Sequence, residues 1–188
     1  IIYPNTNSGY GSTGEEICTE ETPSNPISLY ASTKQDAEDH LLKVHYNTVV
    51  FRLATVFGVS PRPRTDLLVN NLTKVAREQK HLTVFDGHFR RNYIHVLDVA
   101  NAFIFAIHNF NKMKGKIYNV GLSNANLTKI QLAKLIKKNI KGTKINLLTN
   151  RKDPDKRDYF VSNKKIEKKG FKAKVSLDQG IEELITIF

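Results

Sequence analysis

Long apolar runs and paired cysteines are both missing from this chain of 188 residues. No stretch approaches the ~18 consecutive apolar residues that a membrane helix requires. The first residues, IIYPNTNSGYG, lack the basic flank and long apolar segment of a signal peptide. The single cysteine, Cys18, excludes an internal disulfide framework and fits a reducing, cytoplasmic setting.

Acidic residues are also scarce, since 18 Asp and Glu face 29 Lys and Arg and leave a net charge of +11. Most of the excess lies in the C-terminal part, where lysines alternate with apolar residues such as Leu132 and Ile136. This spacing is typical of the solvated face of an amphipathic helix. Clustered cations also bind phosphates, so a nucleic-acid-binding basic domain is an alternative. No zinc-ligand spacing or known nucleic-acid motif accompanies the lysines, and we expect neither a nucleic-acid partner nor a metal.

Predicted strands alternate with predicted helices along the chain. IIYPNT reads as the end of a strand, Ser28 to about His45 as a helix, and TVVFRLATVFG (48–58) as a strand buried on both faces. Residues 12–27 carry breaking prolines and are predicted as a connecting loop. Thr128 has the properties of a helix N-cap, and Asp98 is predicted to cap the helix DVANAFIFAIHNF. The order of elements predicts an α/β fold.

The stretch SLYASTK (28–34) places Tyr30 four residues before Lys34 at the start of a helix. Residues at this spacing share a helix face, so both side chains can point into one cleft. A phenol is a poor base at neutral pH, but a neighbouring ammonium favours its ionised form and allows proton exchange with a sugar hydroxyl. Taken alone, this spacing is more typical of a surface pair.

Four segments in order give the pair its context: TNSGYG, YASTK, RLATVFG and RRNYIHVLDVANAF. Over essentially the whole chain they resemble the extended short-chain dehydrogenase/reductase superfamily, in its NAD-dependent nucleotide-sugar epimerase/dehydratase family. The resemblance implies part of a Rossmann-type doubly wound parallel sheet, from residues 1–60 with 92–120 contributing. It also implies a smaller α/β substrate-binding region, mainly residues 61–188.

The glycine-rich turn that holds the cofactor pyrophosphate in this family has no counterpart in these residues. The resemblance therefore implies a C-terminal part of a protein of roughly 300 residues. We expect this part to be inactive by itself.

The resemblance also assigns catalytic roles. Tyr30 corresponds to the base and acid, Lys34 to the lysine that assists it and binds the nicotinamide ribose, and Thr6 to the hydroxyl that contacts the reacting sugar hydroxyl. Asn7 and Ser8 stand where 4,6-dehydratases of the family carry acids. Neither supplies a carboxylate, which favours an epimerase or reductase over a dehydratase. Ser8, or Cys18 if its loop approached, would remain as a weak proton donor.

Arg91 corresponds to the family arginine that binds the substrate diphosphate, a task that suits the planar guanidinium fork. The other candidates for sugar or phosphate contact are Ser8, Thr55, Arg64, Asn71 and Arg157, with Lys152 as an alternative to Arg157. His95, inside an apolar strand, is predicted to be structural. His81 and His88 receive no role.

These features predict an NAD(P)-dependent nucleotide-diphosphate-sugar epimerase, with NAD favoured and Tyr30 exchanging the proton. A nucleotide-sugar reductase or a 4,6-dehydratase of the same family is the alternative. A non-catalytic member of the fold is a further alternative, and intact Thr6, Tyr30 and Lys34 speak against it. The resemblance also implies a homodimer formed through a helix pair.

Overall fold

The computed structural model describes residues 1–148 and 156–188, in which strands and helices alternate. The strands are β1 (Ile2–Thr6), β2 (Ser12–Cys18), β3 (Val49–Leu53), β4 (Thr55–Phe57), β5 (His81–Phe85), β6 (Arg90–His95), β7 (Lys116–Val120), β8 (Asn126–Thr128), β9 (Lys144–Leu148) and β10 (Asp158–Val161). The helices are α1 (Leu29–Val44), α2 (Leu68–Gln79), α3 (Val96–His108), α4 (Phe110–Met113), α5 (Lys129–Asn139), α6 (Lys164–Glu167) and α7 (Leu177–Ile187). A short 3-10 turn, Asn7–Tyr10, follows β1.

Parallel pairing dominates the sheets. Strand β3 lies between β1 and β7 and is parallel to both. A second sheet has the order β4-β6-β8, in which β4 and β6 are parallel and β6 and β8 antiparallel. The parallel pairs β2–β10 and β5–β9 complete the described strands. Helix α1 connects β1 to β3 as parallel neighbours require, and the predicted α/β fold is confirmed.

Side-chain caps fix where several helices begin. Ser28 accepts a hydrogen bond from the Ala31 amide at the start of α1. Thr128 and Ser176 form capping boxes with Gln131 and Gln179 at the starts of α5 and α7. The predicted N-cap at Thr128 is therefore confirmed, and each cap satisfies amides that the helix itself leaves unpaired.

Two large apolar clusters and a smaller one around Tyr10 and Tyr159 form the interior of the described residues. One packs against the β1-β3-β7 sheet and includes Phe51, Tyr118 and Ala102. The other lies between α2, α5, α7 and the neighbouring strands and includes Leu82 and Ile181. The predicted division near residue 60 stays a prediction. Within the described residues, no helix combines the length and apolar character needed to cross a bilayer.

The predicted single strand 48–58 is two strands. Ala54 interrupts it, and its amide donates to the carbonyl oxygen of Val120 at 2.9 Å. Beyond Ala54 the chain leaves β7 and pairs as β4 with β6. Continuous apolar sequence indicates burial but carries no sign of this change of partner, because β3 is largely buried and β4 is at least partly buried in its own sheet.

The predicted loop 12–27 is wrong in its first half, where β2 pairs with β10 in parallel. Its sequence, STGEEIC, shows no regular apolar alternation, and Ile17 is 55% exposed. A strand of this kind forms because a partner strand pairs with it, here about 140 residues later in the sequence. The local sequence pattern does not show that such a strand will form.

The sequence predicted that Asp98 caps α3, and this prediction is wrong. His95 is the N-cap residue, and its Nδ1 accepts from the Leu97 amide at 3.3 Å. Asp98 is buried, and its Oδ2 accepts from the amides of Lys174 and Val175 at 2.9 and 2.8 Å. Its carboxylate therefore anchors the segment before α7 to α3.

Replacing Asp98 with alanine should lower the free energy of unfolding by roughly 2–4 kcal/mol, because two partly buried amides lose their acceptor. Urea titration monitored by circular dichroism measures this change. The matched control is Asp36→Ala on the exposed side of α1, which we expect to stay within about 0.5 kcal/mol of wild type. Equal stability of the two variants would contradict the anchoring role of Asp98.

Candidate active site

A cleft of about 690 Å³ opens where β1 ends, beside the first turns of α1 and α2. It brings together side chains that lie far apart in the sequence. The catalytic and binding residues predicted from the sequence line it: Thr6, Ser8, Tyr30, Lys34, Thr55, Asn71, Arg91 and Arg157. Arg64 lines it as well, whereas Lys152 lies outside the described residues.

The parallel sheet explains the position of the cleft. Thr6 and Leu53 are register partners at the carboxyl ends of β1 and β3, and these ends meet at one edge of the sheet. Thr6 also caps the 3-10 turn that follows, because its Oγ1 accepts from the Ser8 amide at 3.1 Å. The same hydroxyl lies 3.0 Å from Ser8 Oγ. The two hydroxyls are thus held at one end of the cleft.

The cap at Ser28 places Tyr30 in the first turn of α1 and Lys34 one turn later. The Lys34 ammonium donates to the carbonyl oxygen of Pro4 at 2.9 Å and lies 4.9 Å from the centre of the Tyr3 ring. Tyr30 is 57% exposed, which fits a side chain at the mouth of the cleft. The phenol, the ammonium and the Thr6 hydroxyl therefore line one space.

Cations line another part of the cleft. Arg91 is buried, and its Nη1 donates to the carbonyl oxygens of Arg90, at 2.8 Å, and Arg157. The guanidinium of Arg157 donates to Ser8 Oγ. Arg91 is thus not the solvated loop cation that arginines in a polar turn usually are, and anions entering the cleft meet two guanidinium groups.

Lys129 also lines the cleft, and the sequence did not single it out. It is 4% exposed, its ammonium donates to the carbonyl oxygen of Phe85 at 3.1 Å, and it lies 5.1 Å from the centre of the Phe89 ring. In sequence it is one of many lysines near α5. Its position directly after the Thr128 cap is the one signal that separates it from the others.

One carboxylate, Asp66, lines the cleft among the residues that the structure describes. Arg64 donates to both of its oxygens, at 2.8 and 2.6 Å. These hydrogen bonds from Arg64 lower the pKa of Asp66 to about 2. Asp66 is therefore ionised at neutral pH and holds no proton to donate.

Three other polar residues of interest lie away from the cleft. Cys18 packs in a buried cluster with Tyr10 and Tyr159, burial raises the pKa of its thiol, and it does not line the cleft. A role for Cys18 as a proton donor required its loop to approach the cleft, and the structure does not place it there. Asn7 is buried and also does not line it. His95 caps α3, and its Nε2 lies 3.1 Å from Glu183, in keeping with its predicted structural role.

No group of three or more His, Cys, Asp and Glu side chains in residues 1–148 and 156–188 is arranged to hold a metal ion. The arrangement that is present suits a different ligand. Neutral hydroxyls and an ammonium at one end match an alcohol, and guanidinium groups match a phosphate.

Comparison with known proteins finds a match to the model of the NAD dependent epimerase/dehydratase family over residues 1–121. A mouse dTDP-D-glucose 4,6-dehydratase is 27% identical over 98% of this chain and 54% of its own length. UDP-glucose 4-epimerase 2 of Arabidopsis thaliana is 29% identical over 98% of this chain and 58% of its own length. The chain thus spans a little over half the length of these relatives.

Solved structures show the same similarity. The UDP-glucuronic acid 4-epimerase of Bacillus cereus, in complex with UDP-glucuronic acid and NAD, is 26% identical and superposes with a TM-score of 0.84. The superposition covers 100% of this chain and 62% of that protein. The fold of the described residues is therefore Rossmann-like.

Asp158, at the start of the strand beside Tyr159, forms an ion pair with Arg90. The carboxylate accepts from the Arg90 amide, Nε and Nη2 at 2.7, 3.0 and 3.0 Å. Burial pushes the pKa of Asp158 up, but the Arg90 hydrogen bonds and charge outweigh it, and the pKa lies below its ordinary value. A depressed pKa means that the pair stabilises the fold at pH values above the unfolded-state pKa of ~3.9 and loses this contribution as the pH falls further.

We therefore expect Asp158→Asn to cost about 1–2 kcal/mol of unfolding free energy at pH 7. The difference from wild type should shrink as the pH falls below about 4. Urea titrations at pH 7, 5 and 3.5 measure it, with Asp36→Asn as the exposed control. A difference that stays constant over this range would contradict the ion pair.

Proposed function

The chain belongs to the NAD dependent epimerase/dehydratase family, and we propose that the full-length protein is an NAD-dependent epimerase of nucleotide-diphosphate sugars. One observation carries the proposal. A single cleft is lined by Thr6, Tyr30 and Lys34 together with Arg91 and Arg157. These are groups for exchanging a proton with a sugar hydroxyl and for holding a diphosphate.

The residues at the mouth of the cleft fit a nicotinamide cofactor. Lys34 is fixed beside the end of β1 by its bond to the Pro4 carbonyl, and Tyr30 is on the same helix face. An ammonium and a phenol hydroxyl both hydrogen-bond ribose hydroxyls. Tyr30 and Lys34 would hold the ribose, and NAD when bound supplies the acceptor for the hydride that leaves the sugar and later returns it. The solved Bacillus cereus epimerase is itself a complex with NAD.

Tyr30 acts on the proton. As a phenolate, Tyr30 would take the proton of a sugar hydroxyl while the hydroxyl carbon loses its hydride to the bound nicotinamide and becomes a ketone, and the phenol would give the proton back when the hydride returns to the other face of that carbon. The Thr6 hydroxyl hydrogen-bonds the same sugar oxygen and orients it. The Lys34 ammonium would stabilise the phenolate form of Tyr30 that accepts this proton.

The polar groups near Thr6 favour epimerase over dehydratase chemistry. Elimination of water from the sugar needs a group that gives a proton to the departing oxygen. Ser8 offers a hydroxyl, Asn7 lies outside the cleft lining, and Asp66 is held ionised by Arg64. A 4,6-dehydratase or a reductase of the same family is the second candidate, since the similar proteins include dehydratases.

A homodimer is part of this proposal. Large apolar side chains are exposed at and beyond both ends of α1, with Leu29 at 80%, Val44 at 49% and Tyr46 at 73%. A second copy would cover these side chains, since exposed apolar surface is typical of interaction sites.

Tyr30→Phe should lower kcat by about 10²–10⁴-fold, because the ring keeps its place and the proton-exchanging hydroxyl is lost. The measurement uses the full-length protein with NAD and a panel of nucleotide-diphosphate sugars, with chromatography of the epimers. Tyr46→Phe is the matched control, since Tyr46 is exposed outside the cleft. Equal turnover by Tyr30→Phe and wild type would exclude the role of Tyr30, and a 4-keto-6-deoxy product would favour the dehydratase.

Arg157→Ala should raise the KM for the nucleotide sugar by about 10–100-fold and change kcat far less, because a charge-assisted contact to the diphosphate is lost. Arg77→Ala is the control, since Arg77 is exposed on α2 and does not line the cleft. Steady-state kinetics with varied sugar concentration distinguish the two. An unchanged KM in Arg157→Ala would contradict phosphate binding by this residue.

A further inference from the structure

A row of polar side chains crosses the interior of the β1-β3-β7 sheet. Asn5, Arg52 and Asn119 are register partners on the three strands, and all three are buried. Burying polar and charged groups costs free energy unless they are fully hydrogen-bonded. A row of this kind in a sheet centre therefore calls for a specific role.

Glu38 of α1 packs over this row and accepts hydrogen bonds from two of its residues, Arg52 and Asn5. It is 1% exposed and accepts from Arg52 Nη2 at 2.6 Å and from Arg52 Nε at 3.2 Å. A two-pronged contact between guanidinium and carboxylate fixes orientation as well as distance. Glu38 lies one turn after Lys34, so the pair fixes the part of α1 that carries Tyr30 and Lys34 to the central strand.

The same carboxylate also reaches Thr6. Asn5 Nδ2 donates to Glu38 Oε2 at 2.5 Å, and Asn5 Oδ1 accepts from the Thr6 amide at 2.7 Å. The side-chain amide of Asn5 is thus bonded to Glu38 of α1 through its nitrogen and to the Thr6 backbone through its oxygen. Glu38 connects to all three groups proposed to act on the sugar hydroxyl.

The far side of Arg52 is held in place as well. Its Nη1 donates to the Tyr10 hydroxyl at 3.1 Å, and that hydroxyl donates to Asn119 Oδ1 at 2.7 Å. Burial, opposed by the charge of Arg52, raises the pKa of Tyr10 to about 12, so its hydroxyl keeps its proton at neutral pH. Arg52 therefore has partners on both sides and does not turn away from Glu38.

We propose that Glu38 and Arg52 are positioning residues for the reaction, an inference that rests on the proposed function. Neither lines the cleft. They set the rotation of α1 and the position of Thr6 so that Tyr30, Lys34 and Thr6 meet one sugar. Stability alone does not require the pair, because replacing a buried ion pair with apolar side chains of similar volume is often neutral or stabilising.

The test is the double variant Glu38→Met/Arg52→Met in the full-length protein with NAD and the active nucleotide sugar. We expect a folded protein whose kcat is lower by about 10–100-fold, since small misplacements of reacting groups have effects of that size. The KM for the sugar should change less than about threefold, because Arg91 and Arg157 keep their contacts. The matched control is Lys138→Met/Asp178→Met, which removes an exposed pair 3.4 Å apart and should leave kcat unchanged.

A second readout does not depend on activity. In Glu38→Met/Arg52→Met the Thr6 amide should exchange with solvent about tenfold faster, because Asn5 loses its partner and no longer holds that amide. The amides of Phe51 and Tyr118, in the core of the same sheet, should be unaffected. If wild type turns over no nucleotide sugar, the proposed function fails, and this exchange measurement still decides whether the pair positions Thr6.

Wild-type kcat in the double variant, or unchanged exchange at Thr6, would overturn the inference. If the double variant does not fold, Asn5→Ala tests the inference instead. It leaves the Glu38–Arg52 ion pair intact and removes the hydrogen bonds that connect Glu38 to the Thr6 amide. A lower kcat with unchanged KM in Asn5→Ala supports positioning. A kcat equal to that of wild type contradicts it.

Discussion

Parallel pairing of β1 with β3 is the constraint on which the rest of the structure depends. Two parallel neighbours need a connection that returns to the starting edge of the sheet, and α1 makes this return. Helix α1 therefore lies over β1, the strand that ends in Thr6. The proximity of Thr6 to the first turns of α1 follows from chain topology, and the side-chain contacts then refine it.

Much of the candidate site could be predicted because its signals are local. The spacing of Tyr30 and Lys34, the Ser28 and Thr128 caps and the apolar strand around Phe51 are each contained in a short stretch of sequence. Their order along the chain was sufficient to indicate the family and the cleft. What these residues do in catalysis remains a proposal supported by that placement.

The missed features all depend on partners distant in sequence. Strand β2 forms because β10 pairs with it. Asp98 accepts a hydrogen bond from the amide of Val175, more than 70 positions later in the sequence. Lys129 looks like any other lysine until the fold encloses it. Glu38 likewise reads as a surface carboxylate on a helix, and only the position of Arg52 on the adjacent strand shows that it is buried.

The switch of sheets at Ala54 has a mechanical consequence. One residue, Ala54, separates β3, which ends at Leu53 beside Thr6, from β4, which begins with Thr55, and all of these residues line the cleft. Because this connection is only one residue long, the sheet that contains β3 and the sheet that contains β4 cannot move apart at this point of the cleft. Under the proposed function, sugars of different bulk would then be accommodated by side chains and by the span 59–67, which bears Arg64 and Asp66.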